Sequence, residues 1–162
     1  MIKIVNDDFL HTKAQICVQI VNDDGDLKNN IPSYINDEYH HITKEYIRYI
    51  NYYQKHSLET IGTTMFIPLD CWAVGLVDTI KNNHLDVYDK DFKYIACAFC
   101  RRREGKKYKI NFEALKDCLM EVCRKAQAVH ADVAIMYSSA VEQAVKEVFE
   151  KSTVNVYLCK GE

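Results

Sequence analysis

Apolar residues recur along this chain with two different periods, and the switches between them mark out its elements. Ile2-Lys3-Ile4-Val5 is a short β-branched run. Ile16 to Val21 is a nearly continuous apolar stretch, the pattern of a strand covered on both faces. Asn22 to Asp26 then breaks the chain into a loop. Ile35, Tyr39, Ile42, Tyr46, Tyr49, Ile50 and Tyr53 return mostly every third or fourth residue, which predicts an amphipathic helix with Pro32 in its first turn. Thr63 to Leu69 and Tyr94 to Phe99 read as strands, whereas 71–91 is ambiguous between a short helix and an inserted cap. Asn111 is placed to cap a long helix whose apolar face is Phe112, Leu115, Leu119, Val122, Ala126 and Val129. Val133 to Tyr137 is a further buried strand. Ser139 and Glu142 match an S-x-x-E capping box opening a helix, and Val154 to Leu158 is the last strand. The order β-β-α-β-β-α-β-α-β predicts a three-layer α/β/α sandwich with a mixed central sheet. It spans residues 1–162 as one domain, with 70–92 a candidate insertion. Ligands in such folds bind where strands end and helices begin, here at residues 22–33 and 137–140.

Composition adds limits to this picture. The 162 residues are 48% hydrophobic and 27% charged, values of a globular domain. A formal net charge of −2 provides no global field for nucleic acid or anionic membrane. No apolar stretch approaches the ~20 residues that span a bilayer, and no signal-peptide core follows Met1, so a cytoplasmic location is expected. Seven cysteines lie mostly inside apolar runs, as small buried hydrophobes do. Cys97 and Cys100 should point to opposite faces of a strand. Cys118 and Cys123 lie about 140° apart around a helix. Neither pair is placed to hold zinc, no other metal set is visible, and no cofactor is expected. The six histidines fall on the tyrosine-rich helix or at element ends, without a visible nucleophile or carboxylate partner.

Several local phrases then acquire a common meaning. Ile4 to Leu10 looks like a "V-x-G-D-I-L" start, and Ile16 to Asn22 like an "I-C-H-Q-V-N" strand. Tyr94 to Phe99 resembles "Y-I-A-N-L-F", and Ile110 to Leu115 resembles "T-D-Y-E-A-L". Gly62 to Phe66 and the stretch from Val133 to Phe149 complete the series in the right order. Together they resemble the macro-domain (ADP-ribose-binding) family, of the Appr-1″-p-processing type. The resemblance implies that Asp8, with Phe9 beside it, addresses adenine, that Asn22 addresses the distal ribose, and that Tyr157 faces the base. It further implies that the main chain around Gly25, Lys28, Asn29 and Asn30, and around Ser138, Ser139 and Ala140, lies against the diphosphate. If the chain is active, Asn22 positions ribose or water in removing ADP-ribose or a phosphate from it.

Two departures bear on that activity. Lys28-Asn29-Asn30 stands where the family has G-x-G, and asparagine obstructs a close backbone approach that glycine permits. Tyr137 to Ala140 stands where the family has the glycine-rich "I-G-C-G-L-x-G". The leading expectation is therefore a diverged module that binds ADP-ribose or a related adenine nucleotide without efficient turnover. A protein-interaction domain, working through the tyrosine-rich helix, is the alternative from another class, and an ADP-ribose-linked hydrolase is a third. Each site residue also has a local reading: Asp8 as a turn residue, Asn22 as a strand-ending Asx turn, Lys28 as a solvated lysine, Ser138 and Ser139 as caps. Arg101 to Lys109 carries six basic residues with Glu104 the only acid. Lacking an aromatic platform, the segment reads as a solvated hairpin in preference to a nucleic-acid surface.

Overall fold

The computed structural model describes residues 1–24, 35, 39–69 and 93–161. The expectations for Gly25, Lys28, Asn29, Asn30 and Pro32, and for 70–92, lie outside the described residues. The described strands are β1 (Ile2–Val5), β2 (Ile16–Asn22), β3 (Thr64–Pro68), β4 (Tyr94–Glu104), β5 (Lys107–Ile110), β6 (Val133–Met136) and β7 (Val156–Cys159). The helices are α1 (His41–Lys55), α2 (Phe112–Val129) and α3 (Ser139–Phe149), with a 3₁₀ turn over Phe9–His11. The strands form one mixed sheet in the order β1-β7-β6-β2-β4-β3, with β5 paired to β4. β1, β7, β6, β2 and β4 run parallel. β3 and β5 are antiparallel to β4.

β2 is apolar except at Gln19 and its terminal Asn22 because both of its faces are covered. On one face Ile16 and Val18 join Ala96, Ala98 and Cys100 under α2 and α3. On the other, Cys17 and Val21 join Ile95, Cys97 and Phe99 under α1 and the 3₁₀ turn. This alternation is the period-two consequence of the pleat, and it sends Cys97 and Cys100 into opposite layers as their spacing requires. Phe99 anchors the second layer: its ring stacks on Tyr46 at 5.6 Å and on Tyr49 at 5.0 Å. The result is the three-layer α/β/α sandwich. Among the described residues, no helix is long and apolar enough to cross a membrane.

Three local expectations shift. The strand expected to end at Phe99 continues to Glu104 and turns at Gly105, where φ is +65°, so the basic segment is an antiparallel hairpin. Ile35 is helical as expected, but Tyr39 and His40 are not, and the regular helix α1 begins at His41. The cap of α3 is Ser138, one residue before the predicted box. Its Oγ accepts from Val141 N at 3.2 Å, and Glu142 reaches Lys146 instead. Tyr137 N still donates to Cys159 O in the sheet, which leaves Ser138 as the last extended residue and therefore the cap.

All six cysteines among the described residues are buried. Loss of hydration pushes the thiols of Cys17, Cys97 and Cys118 up to about 12 and that of Cys159 up to about 11, from 9.0. Cys100 and Cys123 move in the same direction for the same reason. The folded thiols thus hold their protons to higher pH than the unfolded ones, so the stability they confer is complete below pH 9 and is lost above it. Urea unfolding should show little change in midpoint between about pH 7 and 8 and a falling midpoint above pH 9. An alkylating reagent at pH 8, mapped by mass spectrometry, should leave these six unmodified in the folded chain; rapid labelling of any one would contradict its burial.

Candidate functional site

The C-terminal ends of the parallel strands β1, β6 and β2 form one rim, and the described candidate residues other than Tyr157 fall on it. Asp8 follows β1 and caps the 3₁₀ turn. Its Oδ1 accepts from Leu10 N at 3.1 Å, and its Oδ2 lies 2.7 Å from His11 Nδ1. The side chain keeps 16% of its surface exposed. Phe9, by contrast, is 1% exposed and belongs to the core, so only its main chain is available to a ligand. Asn22 ends β2 at a bulge opposite Arg101 and is fully buried; its carbonyl accepts from the Tyr46 hydroxyl at 3.1 Å. Ser138 caps α3, while Ser139 and Ala140 open the helix. Tyr157 stands two residues before the end of β7, between Lys3 and Ala134, and packs with the layer that holds Phe9 and Cys159. It lies on the same face as the 3₁₀ turn, below the rim. From β1 to β2 there are three strand steps, about 14 Å at the usual spacing. Asp8 and Asn22 therefore mark two ends of a groove, with the start of α3 between them.

Sequence reasoning passed over a cavity of about 210 Å³ beside α3, lined by Gln19, Arg101 and Ser138 and walled by Ile110, Ile135 and Val141. Its signal was present in the chain: Gln19 is the one polar side chain between Ile16 and Val21. Gln19 is 8% exposed, and burying an amide in such a strand is unfavourable unless something meets its polar atoms. Its Nε2 donates to Ile20 O at 3.1 Å, and Arg101 Nη2 reaches the same carbonyl at 3.4 Å. Burial lowers the Arg101 pKa from its ordinary value, yet a guanidinium remains charged. Lys160 Nζ sits 4.5 Å from the centre of the Tyr137 ring, adding a cation at the same corner.

The basic hairpin is tied to the exit of β2. Arg102 Nε donates to Asp23 Oδ2 at 3.0 Å and approaches Glu59 at 3.7 Å. Tyr108 donates to Asp24 Oδ2 at 2.5 Å, and Arg103 donates to the Tyr108 hydroxyl at 2.9 Å. Asp23 N donates to Arg101 O, and Thr60 Oγ1 to Asp23 O, each at 3.0 Å. These contacts hold the two residues that lead from Asn22 into the following loop, and they use much of the hairpin's charge. On α1, Tyr46 and Tyr49 pack inward, while Tyr52 is 56% exposed beside His56. Among the described residues no group of three His, Cys, Asp or Glu is placed to hold a metal ion.

No protein-family model and no curated protein matches this sequence. Solved structures do match in fold. The macrodomain of Thermus aquaticus DarG superposes with a TM-score of 0.64 at 14% identity, covering 99% of this chain and 98% of that one. A macrodomain protein from Streptomyces coelicolor gives 0.69 at 13% identity with complete coverage of both chains. Thermosipho africanus DarTG, solved in complex with ADP-ribose, gives 0.60 at 13% identity, covering 98% of this chain and 42% of that one. The chain has the macrodomain fold.

Because the hairpin contacts are surface interactions, Arg102→Gln and Tyr108→Phe should each cost under about 1 kcal/mol of global stability. Amide hydrogen exchange at Asp23 should nonetheless accelerate, by about fivefold for 1 kcal/mol of local loosening. Unchanged exchange at Asp23 in both variants would show that the hairpin does not hold the β2 exit.

Proposed function

We propose that this chain is a single macro-like domain that binds ADP-ribose or a closely related adenine nucleotide along the rim of β1, β6 and β2, without efficient turnover. The observation that carries the reading is the convergence on one rim of a carboxylate after β1, an asparagine ending β2, and a helix N-terminus between them. A carboxylate has about four acceptor sites. Asp8 commits one to Leu10 N and one to His11, which leaves capacity for the amino group of a base. The start of α3 supplies main-chain donors and a positive dipole end for a phosphate. The ADP-ribose complex of a protein with the same fold supports the choice of ligand. Hydrolysis at the distal sugar calls for a general base or nucleophile. The described rim offers the amide of Asn22 there, and the nearby thiols are held protonated by burial. In this reading the basic hairpin serves the β2 exit and not nucleic acid.

Calorimetric titration with ADP-ribose, and with AMP and NAD for comparison, tests the proposal. The expected result is micromolar binding of ADP-ribose, weakened at least about tenfold, or 1.4 kcal/mol, in Asp8→Asn. Asparagine retains a capping oxygen, so the melting temperature of that variant should stay close to the parent. Absence of heat with every nucleotide would overturn the proposal. The exposed face of α1 around Tyr52 would then become the surface to test for a protein partner.

A further inference from the structure

We propose that Lys93 is a positioning residue for adenine recognition: from the opposite end of the sheet, its ammonium ties down the turn that presents Asp8. What Asp8 binds rests on the nucleotide reading; how Asp8 is held rests on contacts of the chain alone.

Asp8 stands near the start of a segment that crosses one face of the sheet, from the end of β1 to Ile16, the first residue of β2. At the front of this segment Lys160 N donates to Val5 O at 2.9 Å and Gly161 N to Asp7 O at 3.3 Å. From Asp8 onward no strand ladder serves the carbonyls, so each needs another donor. Asp8 O accepts from His11 N at 3.1 Å, and Phe9 O from Thr12 Oγ1 at 3.3 Å. Leu10 O and Thr12 O both accept from Lys93 Nζ, each at 2.9 Å. Leu10 therefore joins two contacts. Its N–H donates to Asp8 Oδ1 at 3.1 Å, while its carbonyl is held by Lys93.

Lys93 is itself well anchored. Its carbonyl accepts from Leu69 N at 2.9 Å, and Tyr94 N, next along the chain, donates to Gln15 O at 2.7 Å. The side chain is half-buried, where an ammonium is unfavourable unless hydrogen bonds replace its water. Two carbonyls, 83 and 81 residues away in sequence, supply those bonds. Charge-assisted bonds of this kind are about twice as strong as neutral ones. Phe9 and Leu10, 1% and 2% exposed, also hold the turn against the core. Apolar burial is non-directional, however, and leaves the rotation of the turn open. Two bonds from one anchored ammonium set that rotation, and with it the direction in which the Asp8 carboxylate faces the rim.

The experiment compares, by calorimetry of the full chain, ADP-ribose with its analogue whose purine lacks the amino group. Lys93→Met keeps most of the apolar stem and removes the ammonium. It should weaken ADP-ribose at least about fivefold, within the usual range of coupling between sites, and leave the analogue nearly unchanged. In an Asp8→Asn background the same substitution should add little, because the two residues act as one unit. Amide exchange at Leu10 in the ligand-free chain should accelerate by about tenfold as the turn loosens. Equal weakening of both ligands, additive effects of the two substitutions, or unchanged exchange at Leu10 would each overturn the role of Lys93 and leave the nucleotide reading in place. Binding of neither ligand by the parent chain would remove the nucleotide reading instead, with Leu10 exchange still deciding whether Lys93 holds the Asp8 turn.

Discussion

β2 runs between β4 and β6 with both faces covered, and most of the molecule follows from that placement. Its register with β4 and β6 sets which side chains enter each layer. Its position three steps from β1 sets the width of the rim. Its last residue, Asn22, ends at a bulge opposite Arg101, which brings the hairpin to the strand exit. A slip of one residue in β2 would move Ile16 and Val18 from one layer to the other and turn Gln19 with them. The core and the candidate site therefore depend on the same register.

Much of this order is legible in the chain because it rests on periodicity. The nearly continuous apolar run from Ile16 to Val21 announces a strand in the middle of a sheet, and the face from Phe112 to Val129 announces α2. Even the separation of Cys97 from Cys100 follows from strand geometry. Boundaries are less legible, since they depend on partners distant in sequence. The cap of α3 moves to Ser138 because Tyr137 is held by Cys159, and nothing in Ser139 or Glu142 reveals that bond. The hairpin reaches Glu104 because Lys107 to Ile110 pairs with it, a pairing that the run of basic residues disguises.

The site is legible in its outline and not in its depth. Asp8, Asn22 and Ser138 were recognisable from the resemblance of short phrases, and the fold brings them onto one rim. Each also performs the ordinary local task its residue type suggests: Asp8 and Ser138 cap, and Asn22 closes a strand. Such a local role leaves room for a ligand, since a capping oxygen keeps further acceptor capacity. Gln19 and Arg101 are different. Gln19 falls inside the strand phrase from Ile16 to Asn22 and Arg101 inside the basic segment, yet neither is marked out there, and their meaning comes from the meeting of β2 and β4 around Ile20 O. A polar residue inside an apolar strand was the available signal, and only tertiary geometry shows what it faces.

The central claim is that one ligand spans the rim from Asp8 to the start of α3. It is tested most directly by an amide NMR titration of the parent chain with ADP-ribose. The predicted result is a single saturable set of shifts covering Asp8 to His11, Asn22 to Asp24 and Ser138 to Val141. Shifts confined to the outer face of α1 or the tip of the hairpin, or no saturable shifts, would contradict it.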